Sequence, residues 1–98
     1  MRSAVRTLAA CALVLLLTSG CGSVYYAAQV NSAESRLEQA RAAGAAESAP
    51  YEFYFAEEHL KKAKSEAADA SYGDAAQLAE IAEEYAKRAI DMAKAQKR

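Results

Sequence analysis

The sequence predicts an all-α protein. An N-terminal leader is followed by three helices, at about residues 24–43, 50–70 and 74–96, with the last two folded back on each other as an antiparallel, coiled-coil-like hairpin over 49–96. Three observations carry this expectation. Beyond residue 23, alanine, glutamate, lysine and arginine dominate and β-branched residues are almost absent, which favours helix over strand. Apolar residues recur three and four positions apart, the period of one helix face. Only GAAESAP at 44–50 and SYGD at 71–74 strongly interrupt the pattern.

The leader comes first. Arg2 and Arg6 precede an uncharged apolar run from Leu8 to Leu17, the charged start and short apolar middle of a secretory signal. A permanent span needs about 20 apolar residues to cross about 30 Å of hydrocarbon, and this run is half as long. It ends in LLLTSGCGS, residues 15–23, where the small Ser19 and Gly20 stand directly before Cys21. This resembles a bacterial lipobox, with Thr18 at a place where leucine is most common. The resemblance implies cleavage between Gly20 and Cys21, an S-diacylglyceryl group on the Cys21 sulfur and an acyl chain on its new amine. Residues 1–20 would then be the removed signal peptide, 21–23 a lipidated short lead and 24–98 the helical domain. Two or three acyl chains, at about 0.8 kcal/mol per buried methylene, hold a protein firmly on a bilayer. Gly22 is not the aspartate that marks inner-membrane retention, so the same resemblance implies the outer membrane, facing the periplasm.

Composition narrows the function. Of 98 residues, the 78 that remain without the leader suffice for one small domain and leave little room for a deep catalytic pocket. The formal charge of −1 becomes −3 once Arg2 and Arg6 are gone, the wrong sign for a nucleic-acid partner. Cys11 lies in the leader and Cys21 carries lipid, so no disulfide is expected and packing alone holds the domain.

In the first helix Tyr26, Val30, Ala33, Leu37 and Ala40 form one stripe, and Gly44 supplies a left-handed stop. Ser48 or Ala49 caps the second helix, with Pro50 in its first turn, where a missing amide proton costs nothing. Its stripe is Phe53, Ala56, Leu60, Ala63, Ala67 and Ala70, a coiled-coil-like seam. Gly73 is expected to break the chain and Asp74 to cap the third helix. There Ala75, Leu78, Ala82, Tyr85, Ala89 and Met92 make the stripe, flanked by Ala79, Ala86, Ile90 and Ala93. The short break between the last two helices forces them antiparallel. Glu57 with Lys61, Glu58 with Lys62, Glu83 with Lys87 and Glu84 with Arg88 stand four apart, as solvated surface pairs contributing about 0.2–0.5 kcal/mol each.

Chemistry has few candidates. His59 is the sole histidine, and one turn away stand Phe55 and Ala63, which cannot bind metal. No metal site and no cofactor is expected. Neither a nucleophile with a base nor a glycine-rich phosphate loop occurs, so the protein is not expected to be an enzyme. The cluster Tyr51, Phe53, Tyr54 and Phe55 (YEFYF) is more informative. Its rings spread around the helix and cannot all face one neighbour. They form either the core where three helices meet or a docking patch for another envelope protein.

The segment Ala49 to Ala89 resembles the small alanine-rich helical lipoproteins of the domain-of-unknown-function 4398 family. Ala49 to Glu52 match its Ala-Pro-Tyr-Glu opening, Leu60 to Ala63 its Leu-x-Lys-Ala stretch, and Tyr72 to Ala75 its turn before an alanine-rich helix. The resemblance names a scaffold and supplies no mechanism. The hairpin is also similar to a single tetratricopeptide-like repeat. The expected function is thus a lipid-anchored, non-catalytic structural or adaptor module. An envelope protein or a second copy is expected to add to a core thin in apolar area. The alternative is a periplasmic ligand- or cell-wall-binding module that uses residues 51–55.

Overall fold

The computed structural model describes the backbone of residues 1–97 and the side chains of 1–15 and 22–97. The chain forms α1 (Arg2–Ala42), the single turn α2 (Ala45–Ser48), α3 (Pro50–Ala68) and α4 (Tyr72–Gln96). Among the described residues there is no strand. The all-α expectation and the final hairpin are both found.

Three contacts set the directions of the helices. Tyr26 of α1 lies 5.9 Å from Tyr72 at the start of α4, and farther along Ser32 donates to Glu83, so α1 and α4 run parallel. Glu34 pairs with Lys64 and Arg41 with Glu57, so α3 runs antiparallel to α1. The result is an up-down-up bundle in which α4 packs along both other long helices and α1 meets α3 far less. One end holds Tyr26, Tyr72 and the α3–α4 turn; the far end holds α2 and the last turn of α4, joined where Gln96 Nε2 donates to the Ser48 carbonyl at 2.5 Å.

Val30, Ala33, Leu37 and Ala40 of the α1 stripe are buried, as are Phe53, Ala56, Leu60 and Ala63 of α3. The α3 stripe then runs out, because Ala67 is half-buried and Ala70 exposed at the splayed turn. On α4 the buried row is Ala75, Ala79, Ala82, Ala86, Ala89 and Ala93, spaced four and three. Residues expected as its flank are therefore its centre. Leu78 and Tyr85 are half-buried at the edge and Met92 is 40% exposed. Alanine fits the middle of this layer because only a methyl-sized side chain allows two neighbours to approach one helix at once. Among the described residues, all the buried ones but Val30, Leu37, Phe53, Leu60 and Ile90 are alanine.

Four boundaries differ from the sequence expectation. The first helix does not start at Val24, since α1 continues through Gly22 and Ser23 from Arg2. Glycine inside a helix costs only about 1 kcal/mol relative to alanine, too little by itself to end a helix that continues on both sides. GAAESAP is not wholly loop: Gly44 takes the left-handed conformation at φ 76°, as expected, but Ala45–Ser48 then make one helical turn. The α3–α4 break falls earlier than predicted. Ala70 adopts φ 61°, with its amide bonded to the Ala67 carbonyl and the Ser71 amide to that of Glu66, a Schellman closure built on alanine. Gly73 is consequently helical, and Asp74 sits inside the first turn instead of capping it, where a carboxylate still suits the helix dipole. Ala49 precedes α3 with Pro50 at its first position, as expected.

Candidate functional site

The side chains that distinguish this bundle from a featureless one line the groove between α3 and α4, on the side away from α1. α1 occupies the other flank of α4, where Tyr25 donates to Glu80 and Ser32 to Glu83 at 2.8 Å. The groove is therefore open.

Its far half is aromatic. Phe55, half-buried on α3, stacks on His59 at 4.0 Å and meets Tyr85 of α4 at 4.1 Å, while Tyr51 approaches Phe55 at 5.7 Å. The Arg88 guanidinium lies 4.7 Å from the Tyr85 ring and pairs with Glu84 at 2.5 Å. The Phe55–Tyr85 contact joins two helices; the i, i+4 spacing of 51, 55 and 59 makes the ladder along α3. A shallow open depression results, lined by Pro50, Tyr51, Tyr54, Phe55, Glu58 and His59. Nearer the turn, Lys62, Glu66, Asp74, Gln77, Leu78 and Ile81 line a second, more polar depression of the same groove.

The YEFYF cluster divides between its two readings. Phe53 is 3% exposed and is core, its ring edge-on to Tyr54 at 5.1 Å and its far side under Arg41 at 5.7 Å. Tyr51 and Tyr54 are 65% and 51% exposed, and Phe55 sits between. His59 is half-buried against Phe55, with Nδ1 2.9 Å from the Phe55 carbonyl. Among the described residues no cluster of histidine, cysteine, aspartate and glutamate could hold a metal ion.

Sequence reasoning missed two features. Tyr85 and Arg88 complete the aromatic row from the opposite helix, and nothing in local spacing shows which α4 residues oppose Phe55. The paired charges were also misplaced in part. Glu84 bonds Arg88 as expected, but Lys61 meets Glu58 at 3.7 Å, Glu57 reaches Arg41 at 3.5 Å and Glu83 reaches Arg36 at 3.9 Å. Glu57 and Glu83 sit at the margin next to α1, so a cation from the neighbouring helix competes with the one a turn away.

The Tyr25 phenol is held above its ordinary pKa, first by donating to Glu80, then by burial and by the negative charge of that carboxylate. Gly20 and Cys21, the expected cleavage and lipidation residues, lie outside the described side chains. Residues 1–15 are exposed throughout, and no helix among the described residues is long and apolar enough to cross a membrane.

A family model described as Domain of unknown function (DUF4398) matches residues 28–98, taking in α1 from Ala28 onward together with α2, α3 and α4. No curated protein and no solved structure matches the chain.

Proposed function

The chain belongs to the DUF4398 family of domains of unknown function, and from that premise we propose that it is a lipid-anchored, non-catalytic interaction module of the bacterial cell envelope, tethered through Cys21 and most simply placed on the outer membrane, facing the periplasm. The observation that carries this reading is the division of α1. Residues 1–15 are exposed and add nothing to the core, whereas from Gly22, whose Cα faces the Tyr72 Cβ, the helix belongs to the bundle. A cut before Cys21 removes a leader whose described side chains, those of residues 1–15, are exposed, and keeps the bundle from Gly22 onward, with the acylated residue at the end that holds the α3–α4 turn. Intact-mass measurement of the protein purified from membranes tests it. A chain beginning at Cys21 with diacylglyceryl and acyl additions is expected; an uncleaved leader or a bare thiol would overturn the anchor.

A second reading is favoured by the exposure of Tyr51 and Tyr54, which border an open depression with Glu58 and His59 at its rim. Rings of this kind can bind a ligand or the cell wall. Tyr54→Ala is then expected to keep helicity and lose retention on isolated cell-wall material; unchanged retention would discard this reading.

A further inference from the structure

We propose that the α3–α4 groove seats a second copy of this chain, two hairpins closing face to face into a four-helix bundle whose two-fold axis runs along the helices. The orientation rests on the lipid-anchored reading; the choice of face does not. Burial is unfinished in the single chain, where alanine makes up most of the core and, among the described residues, no large side chain is fully buried. Apolar bulk stands instead at the groove: Leu78 and Tyr85 half-buried, Ile81 36% and Met92 40% exposed. Together they form a second apolar flank on α4 with the three-and-four register of a helix seam. The charges suit a copy of itself. Lys62, Glu66 and Asp74 line the turn end of the groove and none takes part in an ion pair among the described residues. With the axis along the helices, α4 of each copy faces α3 of the other at the same level, in the alternating directions of an up-down bundle. Lys62 of one copy then meets the carboxylates of the other. The parallel course of α1 and α4 puts the Cys21 end of the bundle beside the α3–α4 turn, so copies anchored in one bilayer keep these ends level. An arrangement with opposed ends would carry one tether to the far end of the bundle.

The test uses the processed, acylated chain in detergent micelles, which carries no free thiol once Cys11 has left with the leader and Cys21 is acylated. Sedimentation equilibrium is expected to give a dimer, and Ile81→Lys to weaken association at least tenfold with helicity unchanged. Because a lysine there could disturb folding, spin labels at Gln77→Cys and Met92→Cys supply an independent reading. In the proposed arrangement both give short distances of similar length, since neighbouring axes about 10 Å apart leave the two α4 axes about 14 Å apart across the diagonal. With opposed ends, both pairs would lengthen by an offset of about 22 Å along the helix. Intact mass of the same sample reads acylation separately, so a lost anchor and a lost dimer are told apart. An acylated monomer, or label pairs showing the offset, would overturn the proposal; a monomer would give the groove to a helix of another protein.

Discussion

At the residue scale the YEFYF cluster shows what helical phase does to neighbours of similar chemistry. Phe53→Ala should lower stability by about 3–4 kcal/mol, because it empties the largest ring of the core, while Tyr54→Ala, one residue on and half exposed, should cost at most about 0.5 kcal/mol. Urea unfolding followed by circular dichroism compares the two directly. That some of these rings turn inward was legible from the 100° step between successive residues. Which of them face α4 was not, since Tyr85 comes from a helix thirty residues away in sequence. Tyr25 offers a titration test. Its folded pKa is raised by donation to Glu80, so the protonated phenol favours the folded state. The contribution is complete below the ordinary tyrosine pKa and is lost as pH rises through the higher folded value. The stability difference between the wild type and Tyr25→Phe should therefore shrink on the alkaline side, and the ultraviolet titration of the wild type minus that of Tyr25→Phe should show the Tyr25 phenol ionising above the ordinary tyrosine pKa. A difference curve centred at the ordinary value would contradict it.

At the scale of the helices, ends and stripes behave differently. Stripes were legible: the α1 and α3 seams read from spacing are the buried rows as far as Ala40 and Ala63. On α4 the apolar positions are so numerous that periodicity left the phase open by about one residue. Only the approach of two other helices selects the all-alanine row. Ends were legible where glycine is required and not where alanine takes its place. Gly44 at φ 76° has no close neighbour in the direction of a Cβ other than Glu47 at 3.8 Å, so Gly44→Ala carries a backbone penalty of about 1 kcal/mol. At Ala70, with φ 61°, the opposite holds. Ala70→Gly should raise stability by about 1 kcal/mol, visible as a higher thermal midpoint, since it relieves the strain of a Cβ in the left-handed region. No local signal distinguishes Ala70 from the many alanines around it, and Gly73, the natural suspect, is drawn into α4 by the turn that Ala70 has already completed.

At the scale of the whole molecule, 73 Å of length against 23 and 14 Å describes a thin layer with α4 in the middle and a leader extending beyond it. Because residues 1–15 touch none of the core, a chain starting at residue 21 should keep the cooperative unfolding of the bundle; a large fall in its midpoint would show that the leader supports the fold. The up-down-up order follows from short connections and was implicit in the sequence. The lateral register of α1 was not, since it depends on Glu34, Arg36 and Arg41 finding partners on two different helices. The alanine row of α4 has a further consequence, for mutation. Most proteins are injured by hollowing out, but here Ala79, Ala82, Ala86 and Ala89 have almost nothing to lose, and damage comes from growth. Ala86→Leu should cost about 1–3 kcal/mol by wedging α1 and α3 apart. A saturation scan of this row should thus accept serine, penalise glycine mildly and reject every bulkier residue, so that inheritance along the spine is narrow while its rims stay free to change.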